Sequence, residues 1–484
     1  MSRFRLSKSK VMSWSQCPKR LWFEVQRSDL LVVPPETQRI FDLGHQVGEV
    51  ARSLHPEGVL IDPPSLGEAA RETARLLARS GDLTLFEATF SHGGVLVRTD
   101  LLFRSDDAFR LVEVKSSTAV KEHHVADSAV QAWVLRGCGL PLDRVAVSVV
   151  DREFVYAGDG DYHGLFAELD VSAGVAALIG DVAIWVAGCQ ETLAGDVPDI
   201  DMGSQCRDPF ACPFIPMCSA DLPEFPVSIL PDARGTDVAL AEAGHADVRD
   251  IPPDWPLNEL QQRVRRATRR GEPEFDAKAA AELRRLSWPR FYVDFETAQP
   301  AVPVWAGTRP WEQLPFQWSC HIERAGDKLE HAEFLDISGE APMRPCAETL
   351  LQTLGDEGPV FVYSGFERRI LRELAARFPD LGPALLAVVA RLLDLLPLTK
   401  AAYYHPAMKG SWSLKDVLPT VAPDLDYAAL GEVQDGTLAQ LAYAEAVHPD
   451  TEPPRADELA TALLAYCRYD TLALVRLRRF LAGE

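Results

Sequence analysis

The chain has 484 residues and a formal net charge of −22, with 47% hydrophobic and 25% charged residues, which predicts two or three globular domains of about 100–200 residues each. So acidic a chain argues against a protein that coats nucleic acid with a basic surface, and no apolar run reads as approaching the ~18–20 residues that cross a bilayer. No apolar stretch follows the basic residues 1–10 as in a secretory signal, so nine cysteines point to a reducing, cytoplasmic setting in which thiols are free or metal-bound, with no membrane as partner.

Residues 11–27 predict a helix that begins after Pro18, with Leu21 and Val25 on one face and Cys17 at its entry. A second amphipathic helix spans 36–55 and contains His45, which taken alone reads as a partly buried core histidine. A third helix covers 67–80, and 83–90 is a strand with Glu87 inside it. Two further strands, 95–103 and 111–116, are joined by a turn at 105–108. The period of two places Glu113 and Lys115 on one face, and the hairpin brings Asp100 beside them. An acid and a base on an otherwise apolar strand are costly to desolvate unless paired. Two carboxylates and an ammonium in one place are what a metal-dependent phosphodiester hydrolase needs. A helix near 125–135 follows, with Asp127 and Gln131 four apart on one face, and 144–150 is a strand. Helix, three strands, helix and strand make an α/β core.

Cys206, Cys212 and Cys218 recur at five-residue gaps in a proline-rich, irregular segment. Loop-borne thiolates suit a metal or cluster site, with Cys17 as fourth ligand, and the CxxC pairs of a zinc ribbon are absent. Cys138, Cys189, Cys320, Cys346 and Cys467 read as scattered reduced thiols. Residues 226–287 read as a helical connector. Its basic run at 263–270 is first a solvated helix face and second a nucleic-acid contact; Lys8, Lys10, Lys19 and Arg20 form another local basic strip.

At 290 a second domain opens on a buried strand with Asp294 and Glu296 on one face. Residues 316–323 and 333–337 are the next strands of a meander, and 360–367 is a fourth strand running into a helix at 368–377. Asp394 closes the apolar run 385–396, and Ser413 caps a later helix. The last helix, 456–481, stacks Tyr466 over Asp470 on a stripe with Leu463 and Leu474, so Asp470 faces a core or a cleft.

Asp100-x12-Glu113-x-Lys115 resembles the PD-(D/E)XK nuclease superfamily. With SWSQCPKRLWFE before it and the cysteine trio after it, residues 10–220 look like the RecB-like nucleases that carry an iron–sulfur staple, a group that includes CRISPR adaptation nucleases and the AddAB nuclease. The resemblance implies Asp100 and Glu113 as Mg²⁺ or Mn²⁺ ligands with His45, Lys115 as catalytic lysine, Gln131 as active-site glutamine, and Cys17, Cys206, Cys212 and Cys218 around a [4Fe–4S] cluster. Asp294-x-Glu296, Glu367 and Tyr466-x3-Asp470 resemble the DEDDy exonucleases of the RNase-H-like (DnaQ-type) fold, with Glu367 where that family has aspartate. This implies four metal-holding acids and Tyr466 as the residue that orients the attacking water. The expected organisation is an N-terminal PD-(D/E)XK α/β core with a cluster (1–225), a helical connector (226–287) and a C-terminal RNase-H-like 3′–5′ exonuclease-like domain (288–484). The pair resembles a bacterial family that fuses these two nuclease types. The expected function is a metal-dependent, two-site nuclease acting on single-stranded DNA or DNA ends in repair or phage defence. The alternatives are an RNA-directed nuclease and a nucleic-acid-binding scaffold with one silent domain.

Overall fold

The computed structural model describes residues 6–32, 35–105, 108–233, 235–326 and 328–484. Asp106 and Asp107 of the expected turn lie outside them, as do residues 1–5 of the basic N-terminus. The protein is mixed α/β. Its chain forms two compact units, one from 1–220 with 300–312, the other from 221–299 with 313–484.

The first unit begins with β1 (Leu6–Ser7), α1 (Lys8–Gln16) and α2 (Pro18–Gln26). Ser7 caps α1 by accepting from Lys10 N at 3.3 Å. Cys17 has an extended backbone between the two helices, where Pro18 can start α2 without losing a hydrogen bond. Next come α3 (Pro35–Ser53), β2 (Val59–Leu60), α4 (Leu66–Leu77), β3 (Leu83–His92), β4 (Val95–Ser105) and β5 (Ala108–Lys115). Then follow α5 (Glu122–Gly137), β6 (Leu142–Val150), β7 (Phe166–Asp170), α6 (Ser172–Ala194) and the single turn α7 (Ile215–Cys218).

One sheet runs β2-β3-β4-β5-β6-β7, and β1 pairs with β4 in parallel. The β4–β5 ladder sets Leu101 opposite Val112 and Leu102 opposite Leu111, so Asp100 approaches the Glu113–Val114 stretch. Buried Leu85, Ala88, Leu102, Leu111, Ala129, Ala132 and Val145 make the core between this sheet and α5. Residues 300–312 join the unit through a small core in which Ala301 and Val302 meet Val47, Val150 and Leu165. There Trp311 Nε1 donates to the Ser116 carbonyl at 2.8 Å.

One sequence reading needs correction. By length and composition alone, the 23-residue α6, which contains an 18-residue window of mean hydropathy 1.7, is long and apolar enough to cross a membrane. Its alanines and valines accumulate without the single unbroken aliphatic run that a reader looks for, and Asp181 and Glu191 interrupt it. Val175, Val182, Val186, Cys189 and Leu193 form one face of α6 and are buried in the unit's core.

The second unit starts with α8 (Thr236–Glu242), α9 (Glu259–Arg270), β8 (Glu274–Phe275) and α10 (Ala280–Arg285). It continues through β9 (Arg290–Ala298), β10 (Leu314–Arg324), β11 (Lys328–Leu335), α11 (Met343–Leu354), β12 (Val360–Val362) and α12 (Phe366–Arg377). The final elements are α13 (Gly382–Ala390), β13 (Leu392–Asp394), α14 (Leu395–Ala402), β14 (Tyr403–Tyr404), α15 (Leu414–Val421), α16 (Gly436–Ala446) and α17 (Pro453–Ala482). The main sheet has the order β11-β10-β9-β12-β13, antiparallel through the first three strands and parallel beyond.

The segment read as a connector builds this unit's interior: Val227, Leu240, Val248 and Val264 share a core with Tyr292, Phe361, Leu395 and Leu474. The basic run on α9 is largely spent inside the unit. Arg265 Nη1 donates to Pro252 O at 2.6 Å, Arg263 Nη1 donates to Lys400 O, and Arg266 makes two 2.9 Å hydrogen bonds to Glu274.

Helix α17 is fixed against β10 by buried polar bonds. Gln317 Nε2 donates to Leu463 O at 2.8 Å, and Ser319 Oγ meets Thr471 Oγ1 at 2.8 Å. Below them, buried Glu323 accepts from Tyr292 Oη at 2.8 Å, from Arg478 Nη2 at 2.7 and 2.9 Å, and from Arg479 Nε at 2.8 Å. Arg478 is fully buried. Removing Glu323 takes the carboxylate from buried Arg290 and leaves buried Arg478 with Glu484 alone, and breaking a buried ion pair typically costs about 3–5 kcal/mol. Glu323→Ala is therefore expected to lower the unfolding free energy of the second unit, read from its urea transition, by that amount; a change below ~0.5 kcal/mol would contradict it.

Candidate functional site

In the first unit, β5 delivers Glu113 and Lys115, β4 delivers Asp100, and one face of α5 delivers Asp127 and Gln131. Lys115 Nζ lies 2.7 Å from Glu113 Oε1 and 2.8 Å from Asp127 Oδ2. Gln131 Nε2 donates to Glu113 Oε2, leaving its own buried Oε1 without a partner. Asp100 Oδ2 accepts from Val114 N at 2.7 Å.

A residue that the sequence placed only in a basic strip joins them. Lys8, the first residue of α1, places Nζ 2.7 Å from Glu113 Oε1 and 3.1 Å from Asp127 Oδ2. Burial and the neighbouring Glu113 carboxylate push Asp100 up to about 7. Burial alone would raise Glu113 too, but the Lys115 and Lys8 ammoniums outweigh it and hold Glu113 well below the usual carboxylate range. Burial opposes the charge on Lys115, and the Glu113 and Asp127 carboxylates reverse that effect, so Lys115 stays an ammonium at neutral pH.

His45 and Glu87 are placed elsewhere. His45 is exposed on α3, and among the described residues it forms no set of three metal-ligand atoms with Asp100 and Glu113. Glu87 pairs with Arg98 at 3.2 Å and Arg52 at 3.7 Å.

The four cysteines Cys17, Cys206, Cys212 and Cys218 line one small cavity of about 20 Å³, together with Lys19, Arg20 and Phe23. Stapling contacts across long sequence gaps build it. Gln16 Nε2 donates to the carbonyls of Gln205 and Phe210 at 2.7 Å, Lys19 Nζ donates to Ile200 O at 3.2 Å, and Phe23 stacks on Phe214. No three of these sulfurs lie within 4.8 Å of one another. Burial pushes the Cys218 thiol up, with Lys19 pulling the other way.

In the second unit, Asp294 and Glu296 on β9, Glu367 at the start of α12, and Tyr466 and Asp470 on α17 line one open cleft of about 400 Å³. Asp294 and Glu367 share a hydrogen bond, and Glu367 Oε2 is buried without a partner. Burial and mutual repulsion set the electrostatics. Burial and Asp470 push Asp294 well above its usual value; burial, Asp294 and Asp470 do the same to Glu296; burial and Asp294 do so to Glu367. Asp470 is raised by burial to about 6, although hydrogen bonds from Tyr427 and Tyr466 and the Lys415 charge pull it down. Burial and the Asp470 carboxylate keep both tyrosines protonated.

Sequence reasoning did not place three residues of this cleft. Cys467, read as a scattered thiol, puts Sγ within 4.8 Å of Asp294 and Glu296 oxygens, because positions 466, 467, 470 and 471 share a face of α17. Tyr427 donates to Asp470 Oδ1 from the first position of a short 3-10 helix, Tyr427–Leu430, which is too brief to leave a periodic signal. Lys415 lines the cleft directly after the Ser413 cap of α15, its Nζ donating to Gln434 O at 2.8 Å. Asp394, by contrast, is a helix cap: its Oδ1 accepts from Ser364 N at 2.8 Å and Leu396 N at 2.9 Å. Ser319 Oγ lies 2.9 Å from His331 Nε2, but Ser319 is fully buried and bonded to Thr471, so it fastens β10 to α17 and presents no nucleophile.

Residues 291–413 match a family model described as a domain of unknown function, DUF2779. The match contains Asp294, Glu296 and Glu367 and stops before Lys415, Tyr466 and Asp470. An uncharacterised protein (UU173) of Ureaplasma parvum serovar 3 is 28% identical over 71 residues, 15% of this chain. The chain spans about a tenth of that curated relative's length.

The raised Asp470 carboxyl gives a pH signature. A carboxyl with a usual value of 3.8 that sits at about 6 when folded favours folding fully below pH ~3.8, and that contribution is lost as pH rises through about 6. In chelator-treated protein, Asp470→Asn is expected to remove part of the fall in melting temperature between pH 5 and 8. Identical pH slopes in wild type and variant would contradict the assignment.

Proposed function

We propose that the protein is a metal-dependent nuclease with two hydrolytic centres. The observation that carries this reading is the convergence of Asp294, Glu296, Glu367 and Asp470, with Tyr466, on one open cleft. Four crowded acids, of which Asp294, Glu296 and Glu367 are raised by neighbouring carboxylates, are a donor set suited to hard divalent cations such as Mg²⁺ or Mn²⁺, which relieve the repulsion. Bound there, a pair of such ions supplies Lewis-acid activation of water and stabilises the leaving oxygen of a phosphodiester. Tyr466, held protonated, donates a hydrogen bond and orients the water. The meander, the strand that runs into the helix bearing Glu367, and the late helix bearing Tyr466 and Asp470 support an RNase-H-like exonuclease reading of this unit.

In the first unit, Asp100 and Glu113 form the candidate metal pair of a PD-(D/E)XK-type centre. Lys115, held as an ammonium, acts by donating hydrogen bonds to water or phosphate and not by accepting a proton. Gln131 orients Glu113. The cysteine cavity fits a [4Fe–4S] cluster held by Cys17, Cys206, Cys212 and Cys218, which would close the chain between α1 and the 206–218 segment and stabilise the unit. Single-stranded DNA or DNA ends, in repair or phage defence, are the proposed substrates.

Two experiments test this. Labelled single- and double-stranded DNA and RNA are incubated with wild type, Lys115→Ala, Asp294→Ala and the double variant. Each single variant is expected to lose one component of cleavage and the double variant all of it; a double variant that cleaves like wild type would overturn both assignments. Anaerobically purified protein is expected to be brown and to contain iron and sulfide, whereas zinc without iron would overturn the cluster.

A further inference from the structure

Lys8 has no part in the function proposed above, yet it is built into the first unit's centre. Leu6 and Ser7 pair with β4 at Val95 and Leu96, Leu6 N donates to Gly94 O at 3.0 Å, and Ser7 caps α1. This anchoring leaves Lys8 little freedom at the helix start. Its Nζ contacts the same Glu113 oxygen that Lys115 contacts, at the same 2.7 Å, and also reaches Asp127. Lysine spends side-chain entropy to hold such a geometry, so a charge pair this enclosed marks a position where a cation is wanted.

The formal charges explain why. Asp100, Glu113 and Asp127 face Lys8 and Lys115, leaving one net negative charge. In the second unit, four carboxylates draw on Lys415. By formal charge the first centre is nearly neutral before any metal arrives, whereas the second has an excess of carboxylates over its one lysine. A divalent cation entering the first centre must take the Glu113 oxygen from an ammonium and then sits beside two positive charges.

We propose that Lys8 is a resident counter-ion that a divalent cation must displace from Glu113, so that metal loading at this centre waits for the negative charge of a nucleic-acid phosphate. This rests on the metal-site reading of Asp100 and Glu113. Once displaced, the Lys8 ammonium is free to pair with the incoming phosphodiester. Lys8 is thus a positioning residue that sets the order of binding, and the second centre, whose lining lysine Lys415 donates to the Gln434 carbonyl, loads metal without substrate.

Full-length protein carrying Asp294→Asn, to silence the second centre, is titrated with Mn²⁺ by calorimetry without nucleic acid and then with a non-cleavable phosphorothioate single strand. Without nucleic acid, Lys8→Gln is expected to bind Mn²⁺ about tenfold tighter or more than its Lys8 parent. Lys8→Arg, which keeps the charge, stays at the parent's affinity or below, and addition of the strand narrows the gap between Lys8→Gln and parent. Melting temperatures confirm that each variant is folded. Equal or weaker Mn²⁺ binding by folded Lys8→Gln overturns the role of Lys8. If the parent binds Mn²⁺ and Glu113→Gln abolishes that binding while Lys8→Gln changes nothing, the metal site stands and only this inference falls. If Glu113→Gln changes nothing in any background, the metal-site reading falls with it.

Discussion

Like charges in a buried cleft resist being there together, and the second unit is arranged around that resistance. Asp294 and Glu296 come from a central strand, Glu367 from a helix start and Asp470 from the middle of the 30-residue α17. Each alone would relax toward water or take up a proton. They persist as a group because the scaffold is fixed elsewhere. Glu323 binds Arg478, Arg479 and Tyr292, and Ser319 and Gln317 bond to α17. The stability of those ion pairs holds the strain of the acid cluster in place, and a divalent cation is the species that would release it.

The first unit answers the same electrostatic problem in another way. Its acids are neutralised from within by Lys8 and Lys115, and Gln131 fixes the remaining Glu113 oxygen. One chain therefore contains one centre that is charge-balanced without metal and one that is not. Activity measured on the whole protein cannot be credited to either without separating variants.

Much of both centres was legible because it depends on local periodicity. Period two on β5 and β9 put Glu113 with Lys115 and Asp294 with Glu296, and period 3.6 on α5 and α17 put Asp127 over Gln131 and Tyr466 over Asp470. The hairpin carried Asp100 to the same place. What escaped depends on tertiary placement. Lys8 read as part of a basic strip because nothing in a SKSK run says that α1 begins against Glu113 of β5. Tyr427 lies in a 3-10 helix of four residues, too short for a periodic signal. Cys467 reads in sequence as one of several scattered reduced thiols, although its position beside Tyr466 on the Asp470 face was available. The arginines of α9 look solvated in sequence because their acceptors, Lys400 O and Pro252 O, are backbone carbonyls that carry no sequence signal. The apolar α6 was overlooked because two acids break its run, although its buried face recurs at helical spacing.

The central claim is that the cleft between β9 and α17 holds divalent cations. Anomalous diffraction from crystals of the full-length protein soaked in Mn²⁺ addresses it directly. The account predicts strong manganese peaks bounded by Asp294, Glu296 and Asp470 that vanish in Asp294→Asn crystals. Wild-type crystals that take up manganese elsewhere and show no peak in this cleft would contradict it.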